Sequence, residues 1–190
     1  MNFIETYKVQ HEVCDKILKL FWENEKGHRV GLVGAKTVNK KIKDSLELHI
    51  APEDFMRHSV NVFGGFPEFL GKCVEKYFTK YLPPEQSWDV VIGENINIQH
   101  YNLGMGYPQP HFERVNIKTS SRALVFMLYL TNTPNSGTHF THLKHTTECI
   151  KGDLILWPTD FTHVHHGIIS KTHEKTIMTG WLNWIENGSS

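Results

Sequence analysis

Apolar positions follow two regimes along this chain. Over residues 10–22, Val13, Ile17, Leu20 and Phe21 recur at helical spacing, with Asp15, Lys16 and Lys19 between them. That pattern predicts an amphipathic helix. Phe66, Phe69, Leu70, Cys73, Val74, Tyr77, Phe78 and Tyr81 repeat it. Pro83-Pro84 ends this second helix, because a residue preceding proline is driven out of the helical region. An aromatic stripe at such spacing reads as core packing. Residues 23–45 are lysine-rich and carry Gly27, Gly31 and Gly34, which predicts short strands and a mobile loop with a solvated basic face.

From residue 88 the period shortens. Residues 90–98 alternate late in the run, Ile96 and Ile98 against Asn95, Asn97 and Gln99, as a strand does. Residues 122–131 form a strand apolar on both faces. Thr133-Pro134-Asn135-Ser136-Gly137 is a turn. Residues 153–157 make another strand, halted by Pro158, and residues 175–184 the last. Many short strands follow two helices with no regular βαβ alternation. The expected fold is mainly β, an antiparallel sandwich or jelly roll with the N-terminal helices packed on one face. No repeat, linker or second domain is visible. One domain over residues 1–190 is expected, a helical and loop part over 1–87 and a strand-built core over 88–185.

Composition narrows the function. A chain of 190 residues can bury about 70% of the surface its unfolded form exposes, enough for a core without staples. The formal net charge of +0 argues against a nucleic-acid or anionic-membrane binder. Cys14, Cys73 and Cys149 are too few and too scattered for a disulfide framework and read as buried thiols in a reducing compartment. The N-terminus lacks the basic and apolar regions of a secretory signal, and the longest apolar run, residues 124–130, is far short of the roughly 20 that span a bilayer. A soluble cytoplasmic protein is expected. The chain also carries 13 histidines, most of them from His100 onward. They make it either a strong titrator near pH 6 or a binder of something.

The chemistry concentrates in His111-Phe112-Glu113, the cluster His163, His165 and His166, and Lys175. On an extended segment, residues i and i+2 face one side, so His111 and Glu113 can aim at one point. A second histidine from another strand completes two His and one carboxylate. Three ligands on one face leave three open positions on an octahedral metal, which suits a non-haem Fe(II) that binds a co-substrate and O2 together. Taken alone, His-x-Glu also recurs as a surface histidine beside a solvated glutamate.

The surroundings favour the metal. Tyr101-Asn-Leu-Gly104-Met-Gly-Tyr107-Pro-Gln-Pro-His111-Phe-Glu113 resembles the Tyr-x-x-Gly…Tyr…His-x-Asp stretch of prolyl 4-hydroxylase-like enzymes, members of the 2-oxoglutarate- and Fe(II)-dependent oxygenases. Residues 122–132 are similar to that family's central strand, with Tyr129-Leu130-Thr131 at its end. Ser136-Gly137-Thr138-His139-Phe140 is similar to its Gly-Gly-x-Thr-x-Phe turn. Residues 151–158 resemble its Lys-x-Gly-x-x-x-x-Phe-Pro strand. His165-His166-Gly167, Lys175 and Trp181 resemble the distal histidine, the co-substrate cation and the closing tryptophan. The ordered resemblance covers residues 88–184. It implies a double-stranded β-helix and His111, Glu113 and His165 as iron ligands. Lys175 would pair with the C5 carboxylate of 2-oxoglutarate, a distal anion that a fixed cation suits. Tyr129 would add a hydroxyl donor, and Tyr101 would line the co-substrate or substrate pocket. Thr179 and Trp181 share parity with Lys175 and would face the interior, as pocket lining or as core. Fe(II), 2-oxoglutarate, O2 and ascorbate are the implied cofactors. Succinate, CO2 and a hydroxylated substrate are the implied products.

Two departures stand out. The family's carboxylate is Asp, whereas Glu113 is one methylene longer. Members that halogenate lose this carboxylate, so its retention favours hydroxylation. The distal ligand is the second. The family's ten-residue spacing to Lys175 selects His165, and a nine-residue branch would select His166. His163 would share a face with His165 if the segment is extended. His139, His142 and His145 recur every third residue, as an exposed crossing loop, a second metal site or a substrate rim. His100 alternates away from the site, and His173 lies in an exposed turn. The resemblance implies a peptidyl substrate, most directly proline. The same chemistry on a free small molecule or nucleobase, and a non-enzymatic metal-binding jelly roll, are the alternatives. Specificity would reside in loops over residues 23–60 and 132–148.

Overall fold

The computed structural model describes residues 1–32 and 37–185. Gly34, expected in a mobile loop, lies outside the described residues. Eleven strands and three α-helices are described: β1 (Glu5–Lys8), α1 (His11–Glu23), β2 (Arg29–Val30), β3 (Leu46–Ile50), α2 (Pro52–Arg57), α3 (Phe66–Tyr81), β4 (Val90–Val91), β5 (Ile96–Tyr101), β6 (Arg122–Tyr129), β7 (Thr138–Phe140), β8 (His145–Thr146), β9 (Asp153–Pro158), β10 (His165–Gly167) and β11 (Lys175–Trp184). None of the helices is long and apolar enough to cross a membrane.

The strands form two antiparallel sheets. The large one runs β1-β9-β6-β11-β5-β3-β2, with β4 paired to the end of β11, and the small one runs β10-β7-β8. Strand parity divides the large sheet into two faces. Ile96, Ile98, Leu124, Phe126, Leu128, Leu154, Leu156 and Met178 join one core with Ile17 and Phe21 of α1 and Phe66, Leu70, Val74 and Phe78 of α3. Burying a Leu or Phe there is worth about 2–3 kcal/mol each. The opposite parity, with Val125, Met127, Tyr129, Ile155, Trp157 and Ile177, packs against Phe140 of the small sheet. β6 is therefore apolar on both faces because both are covered.

Four corrections to the sequence reading follow. The expected strand over 90–98 is two strands, broken where Gly93 abuts the Asn183 side chain and Glu94 turns to pair with Arg122. Residues 1–87 are not only helices and loops: β2 falls where short strands were expected, over 23–45, but β1 and β3 lie outside that stretch and also join the large sheet. β1 pairs with β9 across nearly the whole chain, Glu5 opposite Leu156. The presumed specificity loop over 23–60 contains β3 and α2, and 132–148 contains β7 and β8. Pro158 is the last paired residue of β9, opposite Leu124, and does not stop the strand before it. The three cysteines are free and buried.

Gly137, in the turn before β7, is required by close approach. A Cβ there would lie 1.7 Å from the Thr147 carbonyl oxygen. Gly137→Ala is expected to destabilise the protein by about 3 kcal/mol, since backbone cannot move aside as a side chain can. Urea unfolding should show a lower midpoint with an unchanged slope.

Candidate active site

The inner face of the large sheet presents its side chains in rows fixed by the register. Trp157, Val125 and Trp181 form one, Ile155, Met127, Thr179 and Asn97 the next, and Tyr129, Ile177, Gln99 and Glu47 the third. Lys175 opposite Tyr101 forms the last. Over these rows lies a cavity of about 580 Å³, which His111, Glu113 and His165 also line.

Backbone pairing brings those three residues together. His111 and His165 form an antiparallel bridge in which each N–H donates to the other's carbonyl at 2.9 Å. The Glu113 and Arg114 N–H groups both donate to Thr159 O at 3.0 Å. Glu113 Oε1 then lies 3.4 Å from His111 Nε2 and 3.6 Å from His165 Nε2. The three donor atoms fall within 4.8 Å of one another. His111 Nδ1 is 2.8 Å from Gln109 O, and His165 Nδ1 is 2.9 Å from His163 O. A carbonyl at Nδ1 fixes the proton there and leaves the Nε2 lone pair free, the usual orientation of a metal-binding imidazole. Burial acts to raise the Glu113 pKa, but hydrogen bonds and charge from the Nε2-protonated form of His111 and His165 more than reverse it and hold the carboxyl well below the usual range; a metal would displace that Nε2 proton. The donor set thus fits a divalent metal with open positions.

Neighbours brace this group. Arg122 Nη1 donates to Glu113 O at 2.9 Å and approaches its Oε2 at 3.3 Å. Its other nitrogens grip Glu94 at 2.7 and 2.6 Å, and its guanidinium lies 3.7 Å above the Trp181 ring. Tyr107 stacks on His111 with ring centroids 4.0 Å apart. Sequence reasoning gave neither residue a contact here. Strict alternation would put Arg122 with Leu124 on the helix face, and the pairing irregularity at Leu182/Asn183 accompanies its turn toward Trp181. The position of Tyr107 inside the Tyr101–Glu113 stretch was the available signal for that residue.

At the other end of the cavity, Lys175 is buried. Its Nζ donates to Ser136 O and Ile168 O at 3.0 Å each and lies 5.4 Å from the Tyr101 ring centroid. Among the described residues no carboxylate pairs with it. Burial pushes its pKa down to about 8. The Tyr129 hydroxyl lies 2.9 Å from both Thr138 Oγ1 and Thr147 Oγ1, and the Tyr101 hydroxyl donates to Gln99 Oε1 at 2.6 Å. Thr179 and Trp181 line the cavity, although the Thr179 hydroxyl is spent on Phe126 O at 2.9 Å.

The remaining histidines lie elsewhere. His163 belongs to a tight turn, Phe161–His163, so strand alternation does not apply and it does not share a face with His165. Its ring nitrogens meet Thr162 Oγ1 at 2.7 Å and Asn2 O at 2.8 Å. His166 points to the other side of β10, its ring 5.2 Å from that of His139. His139 and His145 are half-buried in β7 and β8, so only His142 fits the exposed-loop expectation. His100 is buried on the helix face and His173 is exposed.

No family model and no curated protein matches this chain. Solved structures do. The viral collagen prolyl hydroxylase of Paramecium Bursaria Chlorella virus-1, in its 2OG complex, is 15% identical with a TM-score of 0.67, over 96% of this chain and 97% of that one. A prolyl-4-hydroxylase from Pseudomonas putida is 13% identical with a TM-score of 0.71, over 96% and 94%. A prolyl hydroxylase from Trichoplax adhaerens, in complex with a hypoxia inducible factor oxygen degradation domain peptide fragment, is 14% identical with a TM-score of 0.70, over 96% and 84%. The chain has the fold these proteins share.

Proposed function

We propose that this protein is an Fe(II)- and 2-oxoglutarate-dependent dioxygenase that hydroxylates a peptidyl proline, built on a double-stranded β-helix. The observation that carries the reading is one cavity shared by His111, Glu113, His165 and the buried, carboxylate-free Lys175. The fold shared with a 2OG-bound hydroxylase and a peptide-bound one supports it.

His111, Glu113 and His165 would hold the metal, with Arg122 keeping the Glu113 carboxylate in place. Lys175 would receive the distal carboxylate of 2-oxoglutarate, and a paired anion offsets the desolvation its ammonium now bears. Tyr129 and Thr138 would add hydroxyl donors beside it, and Tyr101 would close that end. Val125, Met127, Trp157 and Ile177 keep the floor apolar and water-poor. Trp181 and Thr179 would line the substrate end. With iron bound, the site supplies oxidation: O2 is consumed, 2-oxoglutarate becomes succinate and CO2, and one oxygen atom enters the substrate as hydroxyl. Ascorbate would keep the metal reduced. Exposed Leu32 and Val115 at the mouth offer apolar footing for a peptide.

The test is succinate release by the Fe(II)-loaded protein against a panel of proline-containing peptides. The expected result is peptide-stimulated succinate with a peptide product 16 Da heavier. Stimulation by small molecules alone would move the substrate class to metabolites. No Fe(II)-dependent succinate under any condition would return the chain to a non-enzymatic metal-binding protein.

A further inference from the structure

Two lysines are buried among the described residues, Lys175 and Lys43. The reading above uses the first and leaves the second without a task. Lys43 lies outside any strand, yet its side chain lines the same cavity. Its Nζ is 2.5 Å from Glu47 Oε1. Glu47 has other partners: the Ser45 hydroxyl donates to Oε1 at 2.8 Å, and His49 Nε2 lies 3.0 Å from Oε2. A buried carboxylate held by three groups does not need the whole of one ammonium. An ammonium has three N–H donors. One meets Glu47, and among the described residues the other contact is the Tyr107 ring, 5.5 Å from Nζ to centroid. That ring stacks on His111. Lys43 therefore stands one aromatic ring away from the candidate metal ligands, over Tyr107, whereas Lys175 stands over Tyr101. Gln99 and Asn97 make the adjoining part of the cavity wall polar.

We infer that Lys43, fixed by Glu47, binds a carboxylate of the substrate next to the group that is hydroxylated. The inference rests on the peptidyl reading above. In a peptide the carboxylate comes either from an Asp or Glu flanking the target proline or from the C-terminus. Glu47 already balances the charge of Lys43, so what selects the ligand is the ammonium's remaining N–H donors, which make stronger, charge-assisted bonds to a carboxylate than to a neutral carbonyl. Glu47 acts as a positioning residue: it holds the ammonium in one place.

The test uses the Fe(II)-loaded full chain and matched peptides differing only in Asp against Asn beside the proline, each with a free or amidated C-terminus. The readouts are the ratio of kcat/KM for acidic over neutral peptides and the same ratio of Kd by fluorescence anisotropy. The wild-type protein should favour a carboxylate by about tenfold. Lys43→Gln should bring both ratios to about one, and Lys43→Arg should keep the preference. Lys43→Gln leaves Glu47 short of a partner, so Lys43→Gln/Glu47→Gln serves as the folded control. A ratio is insensitive to a general loss of fold, which lowers both peptides together. The Asp series and the free-C-terminus series identify which carboxylate is bound. Equal wild-type activity on acidic and neutral peptides, or a preference that survives Lys43→Gln, overturns the inference and leaves the proposed activity standing. No turnover of any peptide overturns both.

Discussion

Replacing Glu113 with glutamine is expected to weaken divalent-metal binding by about a hundredfold and to abolish Fe(II)-dependent turnover of 2-oxoglutarate. Glutamine keeps the volume of the side chain, so no cavity opens behind it. Arg122 keeps its pair with Glu94, so its guanidinium is not left unpaired. What is lost is the single anion between two imidazoles, 3.4 and 3.6 Å from their Nε2 atoms. Two neutral imidazoles and an amide bind a hard divalent cation far more weakly than a set containing a carboxylate. Titration with Co(II), followed by its visible absorption, measures the loss without reliance on activity. Glu113→Asp supplies the second arm. It retains the charge but withdraws it by about 1.5 Å, one carbon–carbon bond. The backbone of residue 113 is tied to Thr159 O and cannot follow freely. Glu113→Asp should therefore bind metal, more weakly than wild type and more tightly than Glu113→Gln. Equal Co(II) affinity in all three proteins would remove Glu113 from the ligand set.

What could be read from the sequence was whatever depends on short-range alternation. His111 and Glu113 fall on one side of an extended segment, and Lys175, Ile177, Thr179 and Trp181 share the inner face of β11, because a strand repeats every two residues. The two long helices and the four longest strands were legible for the same reason: each carries enough apolar residues to show its period. β3, Leu46–Ile50, does alternate apolar and polar, but over only five residues, while β1, β7, β8 and β10 are two to four residues long and mostly polar. Their existence depends on partners far away in the chain, as Glu5 depends on Leu156, and no local pattern encodes that. The histidine cluster shows the limit most clearly. Alternation grouped His163 with His165, but a tight turn ending at His163 breaks the period, and Asn2 O takes His163 Nε2. The Arg122 clamp and the Lys43–Glu47 pair were illegible because each arises where backbone irregularity or a loop carries a side chain over the sheet. Both sit at the candidate site, where local rules are most often set aside.

Lys175 poses a conflict between stability and function that a single variant can expose. Its ammonium is buried, with two carbonyls as its acceptors among the described residues, and burial lowers its pKa from 10.5 to about 8. A lowered lysine pKa means that the folded state disfavours the charged form. Below about 8 both states hold the proton and the folded protein bears the whole penalty, of order 3 kcal/mol. Between about 8 and 10.5 the unfolded chain binds more protons, so the protein without 2-oxoglutarate should become more stable as pH rises through that window. Lys175→Met removes the penalty at neutral pH. It orphans Ser136 O, at about 1–2 kcal/mol, while Ile168 O keeps the Ser136 hydroxyl at 2.6 Å. The balance favours the variant by about 1 kcal/mol in urea unfolding without ligand. Affinity for 2-oxoglutarate should fall at least a hundredfold in the same protein, because the distal carboxylate loses its charge partner in a buried site. In the wild type, the charged form is the one that binds the anion, so Kd for 2-oxoglutarate should rise about tenfold per pH unit above about 8. Calorimetric titration of 2-oxoglutarate across pH 6.5–9.5 checks the slope. A flat profile, or a Lys175→Met protein that is less stable and binds 2-oxoglutarate normally, would make Lys175 a structural residue of the sheet and move the co-substrate elsewhere in the cavity.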